Sequence, residues 1–172
     1  MSNVKRIIKD IIEREGDFVN HPNDSGGDTK CGITTKTLNA WCLKKGIPVY
    51  HVSQLTIETA SEIYLENYYL VTGISSLPAY MQELVLDTAV LHGRTSAIRY
   101  LQRLCEVATD GDVGPVTIKA AQDFPPERFV VEYVKLRING YISIVKRSPS
   151  QLVFLRGSVN RAYDFLLKED GQ

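Results

Sequence analysis

The sequence has 172 residues, of which 44% are hydrophobic and 23% are charged, as in an ordinary globular domain. Twenty basic residues balance twenty acidic ones, which argues against a nucleic-acid-binding protein, and the apolar content excludes an intrinsically disordered chain. Cys31, Cys42 and Cys105 lack paired spacing, which argues against a disulfide framework and a zinc site.

The first segment repeats apolar residues at helical spacing and predicts an amphipathic helix over residues 3–15. Glu15 falls at the end of the apolar stripe, whereas Glu13 belongs to the polar face. The negative end of the helix dipole and partial burial both disfavour a charged Glu15, so we expect its pKa to be raised. Because charges interrupt the apolar residues, this segment is neither a secretion signal nor a membrane span.

A long irregular segment, residues 16–34, follows this helix, with a short hairpin predicted around residues 28–33. Such long loops in a compact domain are usually functional. Asp24 lies in polar surroundings that keep a carboxylate ionised, and Thr29 has a hydroxyl that can position a water. With Glu15 they provide two carboxylates in contrasting environments, as glycoside hydrolysis requires. Spacing alone leaves a surface or capping role for Glu15 open.

The rest of the sequence predicts helix after helix, with no internal repeat and no flexible linker. The class is therefore all-α, with at most a very small β-hairpin near residues 28–34. The predicted helices cover residues 35–45, 56–70, 78–92, 94–107, 115–123 and 126–146, and the last ones begin after a capping box at residues 148–151.

Two other patterns have more than one interpretation. Asp110 and Asp112 in the turn at residues 109–115 are only a fragment of a calcium loop, so a structural turn is favoured. The histidines share no metal-site spacing, and no metal or cofactor is predicted. Trp41 is a core candidate, and Arg161 either pairs with an acid or lines a cleft.

The tyrosines after residue 60 are candidates for a buried stripe or for a sugar-binding surface. Tyr64 and Tyr68 are four residues apart and are predicted to share one helix face. Tyr69 then points elsewhere and is the better cleft candidate.

The chain resembles the N-acetylmuramidases of glycoside hydrolase family 108 in segments that keep their order over nearly the whole length. Glu15-Gly16-Asp17-Phe18 resembles the Glu-Gly-Gly-Tyr element of the family. Residues 19–34 are similar to its Asn-x-Pro-x-Asp-x-Gly-Gly-x-Thr-x-x-Gly-Ile-Thr pattern. The similarity continues through residues 60–70, 86–93 and 154–166, and residues 109–122 resemble the turn and helix of peptidoglycan-binding modules.

This resemblance implies a catalytic site of Glu15 as the acid, with Asp24 and Thr29 from the glycine-rich loop. Asp28 competes with Asp24 as the second carboxylate. The implied substrate-binding residues are Gly27, Asp28, Tyr69, His92 and Asn160.

Some residues depart from the family pattern. Asp17 and Phe18 replace a glycine and a tyrosine, and an acid so near Glu15 would raise the pKa of Glu15 further. Tyr69 stands in place of a tryptophan and Leu91 in place of an asparagine. The consequences of Asp17 and Leu91 stay open at this point.

The implied fold is lysozyme-like and helical, within a single compact domain. Residues 1–93 would be its catalytic part, and residues 94–172 a peptidoglycan-binding part packed against it. The expected enzyme is a muramidase that cleaves the β-1,4 bond between N-acetylmuramic acid and N-acetylglucosamine. Whether it inverts or retains the anomeric configuration depends on the separation of the carboxyl groups, which the sequence leaves open.

The resemblance also predicts where and with what the chain acts. Its partners would be peptidoglycan glycan strands, with no nucleic acid and no membrane span, and the chain would be a monomer. As a phage endolysin it would be made in the bacterial cytoplasm without a signal peptide and act on the cell wall in the periplasm after release. A secretion-associated muramidase that remodels the wall and a non-catalytic peptidoglycan-binding protein are the alternatives.

Overall fold

The computed structural model describes residues 2–15 and 28–169, which form eight α-helices and one two-stranded antiparallel sheet. The prediction of a helical fold with a very small hairpin is therefore confirmed. The chain divides into two compact units, Met1–Asn67 and Tyr68–Gln172. The boundary expected between residues 93 and 94, and the packing of one part against the other, stay predictions.

The first unit is built on a helix whose isoleucines pack inward. Ile7, Ile8, Ile11 and Ile12 are all buried, while Glu13 is exposed, as the periodicity predicts. This helix contacts α3. Trp41 is 6% exposed, which confirms it as a core residue. The elements are α1 (Ser2–Glu15), β1 (Thr29–Lys30), β2 (Ile33–Thr34), α2 (Thr35–Lys45), a 3₁₀ turn (Val52–Gln54) and α3 (Ile57–Tyr64).

A π-helix, Leu65–Leu70, continues directly from α3, where a single helix over residues 56–70 was predicted. In a π-helix the hydrogen bonds join residues five apart instead of four. Tyr69, five residues after Tyr64, is accordingly 8% exposed, and Tyr64 is fully buried. Tyr68, which was predicted to share one helix face with Tyr64, is only half-buried, and Tyr69 takes the buried position instead.

The second unit packs its helices around the longest one, Pro126–Arg147, which contacts three other helices of this unit: Ala79–His92, Arg94–Leu104 and Leu152–Glu169. Within the part of the chain that the structure describes, no helix is long and apolar enough to span a membrane. The elements are a 3₁₀ turn (Ile74–Ser76), α4 (Ala79–His92), α5 (Arg94–Leu104), α6 (Pro115–Asp123), α7 (Pro126–Arg147), a 3₁₀ turn (Pro149–Gln151) and α8 (Leu152–Glu169).

The fifth helix, α5, ends at Leu104, three residues before its predicted end. Glu106 has a φ of 56°, which is left-handed and stops the helix. The Val107 amide then donates to the Gln102 carbonyl at 3.0 Å, as in a Schellman cap. A helix end without glycine gave no signal in the sequence.

A buried ion cluster joins three helices of the second unit. Asp87 on α4 is 1% exposed, and its Oδ2 lies 2.7 Å from Nη1 of Arg137 on α7. Its Oδ1 accepts from Nη2 of Arg161 on α8 at 2.8 Å. The prediction that Arg161 pairs with an acid is thus confirmed. Because a buried charge without a partner is costly, the cluster specifies how these helices pack.

The turn before α6 is organised by one buried amide side chain. Nε2 of Gln102 donates to Oδ1 of Asp110 at 2.6 Å, and Oε1 of Gln102 accepts from the Gly111 amide at 2.9 Å. The Asp112 amide donates to Oδ1 of Asp110 at 2.9 Å, and these bonds lower the pKa of Asp110. The structural role predicted for this turn is therefore confirmed.

Candidate active site

The candidate acid, Glu15, is the last residue of α1 and is half-buried. The buried isoleucines of α1 fix the helix on which it stands. A β-carbon added at Gly32 would lie 2.9 Å from Cγ and 3.0 Å from Oε2 of Glu15. The carboxylate therefore lies against the turn of the small hairpin.

That hairpin pairs Thr29 with Thr34 and Lys30 with Ile33. Cys31 and Gly32 form its two-residue turn, with φ angles of 53° and 71°. Positive φ at both turn positions is typical of a type I′ turn, which suits the twist of a hairpin. Thr29, the predicted water-positioning residue, thus lies on the hairpin that contacts Glu15.

The side chain of Tyr64 holds this turn in place. It is fully buried, and its hydroxyl donates to the Cys31 carbonyl at 2.9 Å. The same oxygen would lie 2.6 Å from a β-carbon at Gly32, so only glycine fits between Tyr64 and Glu15. Sequence reasoning assigned no role to Gly32 and placed Tyr64 only in a stripe. The signal available in the sequence was the Cys31-Gly32 pair, because a two-residue pair that contains glycine, between two short strand-like runs, is typical of a hairpin turn.

Asp28 is tied to the base of the same hairpin. Its carbonyl accepts from the Thr35 amide at 3.1 Å and from the Thr35 hydroxyl at 3.2 Å. Its Oδ2 lies 3.3 Å from Nε2 of His51, which makes an ion pair when the imidazole is protonated. The Asp28 carboxylate is therefore engaged within the protein, although its role as a substrate contact stays a prediction.

Asp24 and Gly27 lie outside the described residues, as do Gly16, Asp17 and Phe18. Their predicted roles, and the effect of Asp17 on Glu15, stay predictions. Of the three predicted catalytic residues, the structure brings Glu15 and the hairpin of Thr29 together.

Tyr69, His92 and Asn160 belong to the second unit. The Tyr69 hydroxyl donates to Oε1 of Gln82 at 2.7 Å, and Asn160 is exposed on α8. Among the described residues, no group of three His, Cys, Asp or Glu side chains is arranged to hold a metal ion. The substrate contacts assigned to these three residues stay predictions.

His92 ends α4 between the rings of Tyr100 and Tyr141, whose centroids lie 5.9 Å and 5.5 Å from its own. Burial and, to a lesser extent, the charge of Arg137 lower the pKa of His92 to about 4, against the opposing effect of Asp87. The imidazole is therefore neutral at pH 7.

The geometry of the first unit suits acid catalysis. It provides a half-buried carboxylate at a fixed helix end, beside a rigid turn that leaves no room for a side chain. The same hairpin carries a hydroxyl able to hold a water molecule.

Comparisons with known proteins match both parts of the chain. The family model for glycosyl hydrolase 108 matches residues 8–93, and the one for the predicted peptidoglycan domain matches residues 96–163. The solved structure of Brucella abortus SagA is similar at a TM-score of 0.72, with 30% sequence identity over 94% of each chain. Among curated proteins, no relative matches the chain.

Proposed function

The chain belongs to glycosyl hydrolase family 108 and is a hydrolase of peptidoglycan, and we propose that it is an N-acetylmuramidase. It would cleave the β-1,4 bond between N-acetylmuramic acid and N-acetylglucosamine. The observation that carries this proposal is the position of Glu15, whose carboxylate stands at a helix end and lies against the turn at Gly32.

In the proposed reaction, Glu15 is the general acid that protonates the glycosidic oxygen as the bond to the muramic acid breaks. Positive charge then develops on the sugar ring, and Asp24 stabilises it as a carboxylate. Thr29 positions the water whose oxygen adds to the anomeric carbon, and the proton of this water passes to Asp24 in an inverting reaction or to the deprotonated Glu15 in a retaining one. The products are a new reducing end on N-acetylmuramic acid and a free hydroxyl on N-acetylglucosamine.

Asp24 is preferred over Asp28 as the second carboxylate because the Asp28 side chain already faces His51 at 3.3 Å. Asp24→Asn should therefore reduce hydrolysis more than Asp28→Asn. The stereochemistry follows from the same choice. A separation from Glu15 of roughly 6.5–9.5 Å gives inversion, and one of roughly 5–5.5 Å gives retention.

The test compares Glu15→Gln with Glu13→Gln, which changes the same residue type on the exposed face of the same helix. Glu13 pairs only loosely with Lys9, at 3.7 Å. We expect Glu15→Gln to slow hydrolysis of purified peptidoglycan by about 10²–10⁴-fold, and Glu13→Gln to leave it unchanged.

Mass spectra of the products give the bond. New reducing-end muramic acid supports the proposal, whereas reducing-end glucosamine or cut peptides would reject it. Full activity of Glu15→Gln would remove Glu15 from the acid role. A wild-type chain that binds peptidoglycan without cutting it would leave the non-catalytic binding protein as the function.

For the biological role we propose a phage or prophage endolysin that is made in the cytoplasm and reaches the wall through a membrane pore. Production of the chain inside Gram-negative cells should leave culture turbidity unchanged until chloroform opens the inner membrane. Cells that produce Glu15→Gln should then stay intact. Lysis before the membrane is opened would instead favour the secretion-associated muramidase.

A further inference from the structure

A groove in the second unit is separate from the residues assigned above. It has a volume of 740 Å³ and lies between the end of α5, α6 and α7. This volume is within the roughly 300–1,000 Å³ of small-ligand sites. We call it the α5–α7 groove. Its apolar floor is made by half-buried side chains: Leu104, Ala120, Phe124 and Leu136.

One wall of the α5–α7 groove is a single face of α7. Arg128, Glu132, Lys135 and Asn139 line it at helical spacing. Nζ of Lys135 lies 3.2 Å from Oε1 of Glu132, so these two charges largely cancel. Arg128 remains as the uncompensated charge of this wall.

The other wall contributes Arg103 and Glu106 from the end of α5, both exposed. The side chains of Arg103, Glu106 and Arg128 make no hydrogen bond or salt bridge to any other residue that the structure describes. Asp123 also lines the groove, and its Oδ1 lies 2.6 Å from Nζ of Lys119, so this charge has a partner. The groove therefore presents two cations and one carboxylate that are uncompensated.

Glu106 occupies its place at a conformational cost. Its φ of 56° falls where glycine is the usual residue of a helix cap. Two backbone bonds hold it there, from the Glu106 amide to the Arg103 carbonyl at 3.3 Å and from the Val107 amide to the Gln102 carbonyl at 3.0 Å. Glycine would fit without strain, yet the chain has a glutamate at the groove edge. Backbone strain of this kind concentrates at functional sites.

The α5–α7 groove offers no ready nucleophile. Cys105 lines it, and burial raises the pKa of the Cys105 thiol to about 11, so the thiolate is scarce at pH 7. No histidine is among the described residues that line the groove.

We propose that the α5–α7 groove binds the peptide stem of peptidoglycan, with Arg103 and Arg128 on its carboxylates and Glu106 on a free ammonium. Glycan strands without peptides carry the lactyl carboxylate of muramic acid but no ammonium, whereas a stem with a diamino acid carries both signs. The apolar floor takes the aliphatic parts of the stem. This inference rests on the proposed function, because it takes peptidoglycan as the ligand of the second unit.

The test uses the full chain with Glu15→Gln, so that nothing is cut, and measures binding of the tripeptide L-Ala-γ-D-Glu-meso-diaminopimelate by calorimetry. Arg103→Ala, Arg128→Ala and Glu106→Gln should each weaken binding by about tenfold or more, because each removes a charged hydrogen-bonding partner. Arg147→Ala, an exposed arginine at the end of α7 outside the groove, should change nothing.

Glu106→Gly separates binding from folding. This substitution should raise the melting temperature, because glycine adopts a positive φ without strain. It should weaken binding of the tripeptide as much as Glu106→Gln does. Unchanged binding by Glu106→Gly would overturn the proposal, since the variant is expected to fold better than the parent.

Other results bear on the ligand. If the tripeptide fails to bind, or if peptide-free glycan chains shift the amide resonances of the groove residues, the proposal is wrong. The tripeptide contains no glycosidic bond, so its binding does not depend on muramidase activity. A wild-type chain that binds the tripeptide but releases no reducing ends from purified peptidoglycan would reject the proposed reaction alone.

Discussion

Two helix carboxylates, the proposed acid Glu15 and the structural residue Asp87, have opposite surroundings. Asp87 is 1% exposed and lies 2.7 Å from Arg137 and 2.8 Å from Arg161. Glu15 is half-buried at the end of its helix and lies against the Gly32 turn. Burial by itself therefore does not identify a catalytic acid. The proposed acid differs from Asp87 in that it is only half-buried and lies against a turn instead of between two arginines.

The strongest way to test this contrast is Asp87→Asn, which leaves two guanidinium groups without their carboxylate. Arg137 is 1% exposed, so its charge would then be buried without a partner. We expect a loss of about 3–5 kcal/mol in the free energy of unfolding, measured by urea denaturation. Glu15→Gln should stay within about 0.5 kcal/mol of wild type, since its site is partly exposed. Equal losses in the two variants would abolish the distinction between them.

The next largest effect concerns His92, which lies near the ion cluster of Asp87. Its pKa of about 4 in the folded chain lies below its ordinary value of about 6.5 in the unfolded chain. The unfolded chain thus takes up a proton first, and stability is lost as the pH falls from about 6.5 through 4. When the pH is lowered from 7 to 4.5, we expect the free energy of unfolding of the wild-type chain to fall by about 2–3 kcal/mol more than that of His92→Asn. Parallel pH profiles for both chains would contradict a buried neutral histidine.

Substitutions at two glycines separate the effect of steric crowding beside Glu15 from the effect of backbone strain. Gly32 and Gly46 have φ angles of 71° and 68°, but a β-carbon meets Tyr64 and Glu15 only at Gly32. Gly46→Ala should cost about 1 kcal/mol of unfolding free energy, and Gly32→Ala about 2–3 kcal/mol. Hydrolysis of purified peptidoglycan should fall only in Gly32→Ala, because Glu15 is displaced. If both variants keep full hydrolysis, the turn does not position the acid.

The smallest effect is expected from one hydroxyl group. Tyr64→Phe removes the bond to the Cys31 carbonyl, and Tyr133→Phe removes a similar bond of 2.9 Å to the Ala97 carbonyl. Both side chains are fully buried, so each variant should lose about 1 kcal/mol of unfolding free energy. Only Tyr64→Phe should also lower the hydrolysis rate, by severalfold. A rate loss in Tyr133→Phe of the same size would mean that general stability sets the rate.

Local patterns predicted most of the helices, because helical periodicity and capping residues act within a few neighbours. The isoleucine stripe of α1 and the start of α2 at Thr35 are examples. The same patterns found the small hairpin. They did not predict the π-helix after Tyr64, because the spacing of apolar residues along the sequence does not reveal a helix turn that is wider by part of a residue.

The candidate site was predictable only in part. Glu15 was predicted from its place at the end of the apolar stripe, and Thr29 from the glycine-rich loop; the structure places both at the small hairpin, and their catalytic roles stay predictions. Gly32 and Tyr64 were missed as positioning residues because their contact joins positions far apart in the chain. Asp87 was likewise indistinguishable from other acids, since its partner Arg161 lies 74 residues away.

Thr34 ends the hairpin and begins α2. It pairs with Thr29 across the sheet, and its hydroxyl accepts from the Thr37 amide at 3.1 Å as the cap of the helix. A slip of one residue in the hairpin would therefore also uncap α2. For protein engineering, residues 29–37 are therefore one unit of fixed length, and a graft from a relative should transfer this segment whole.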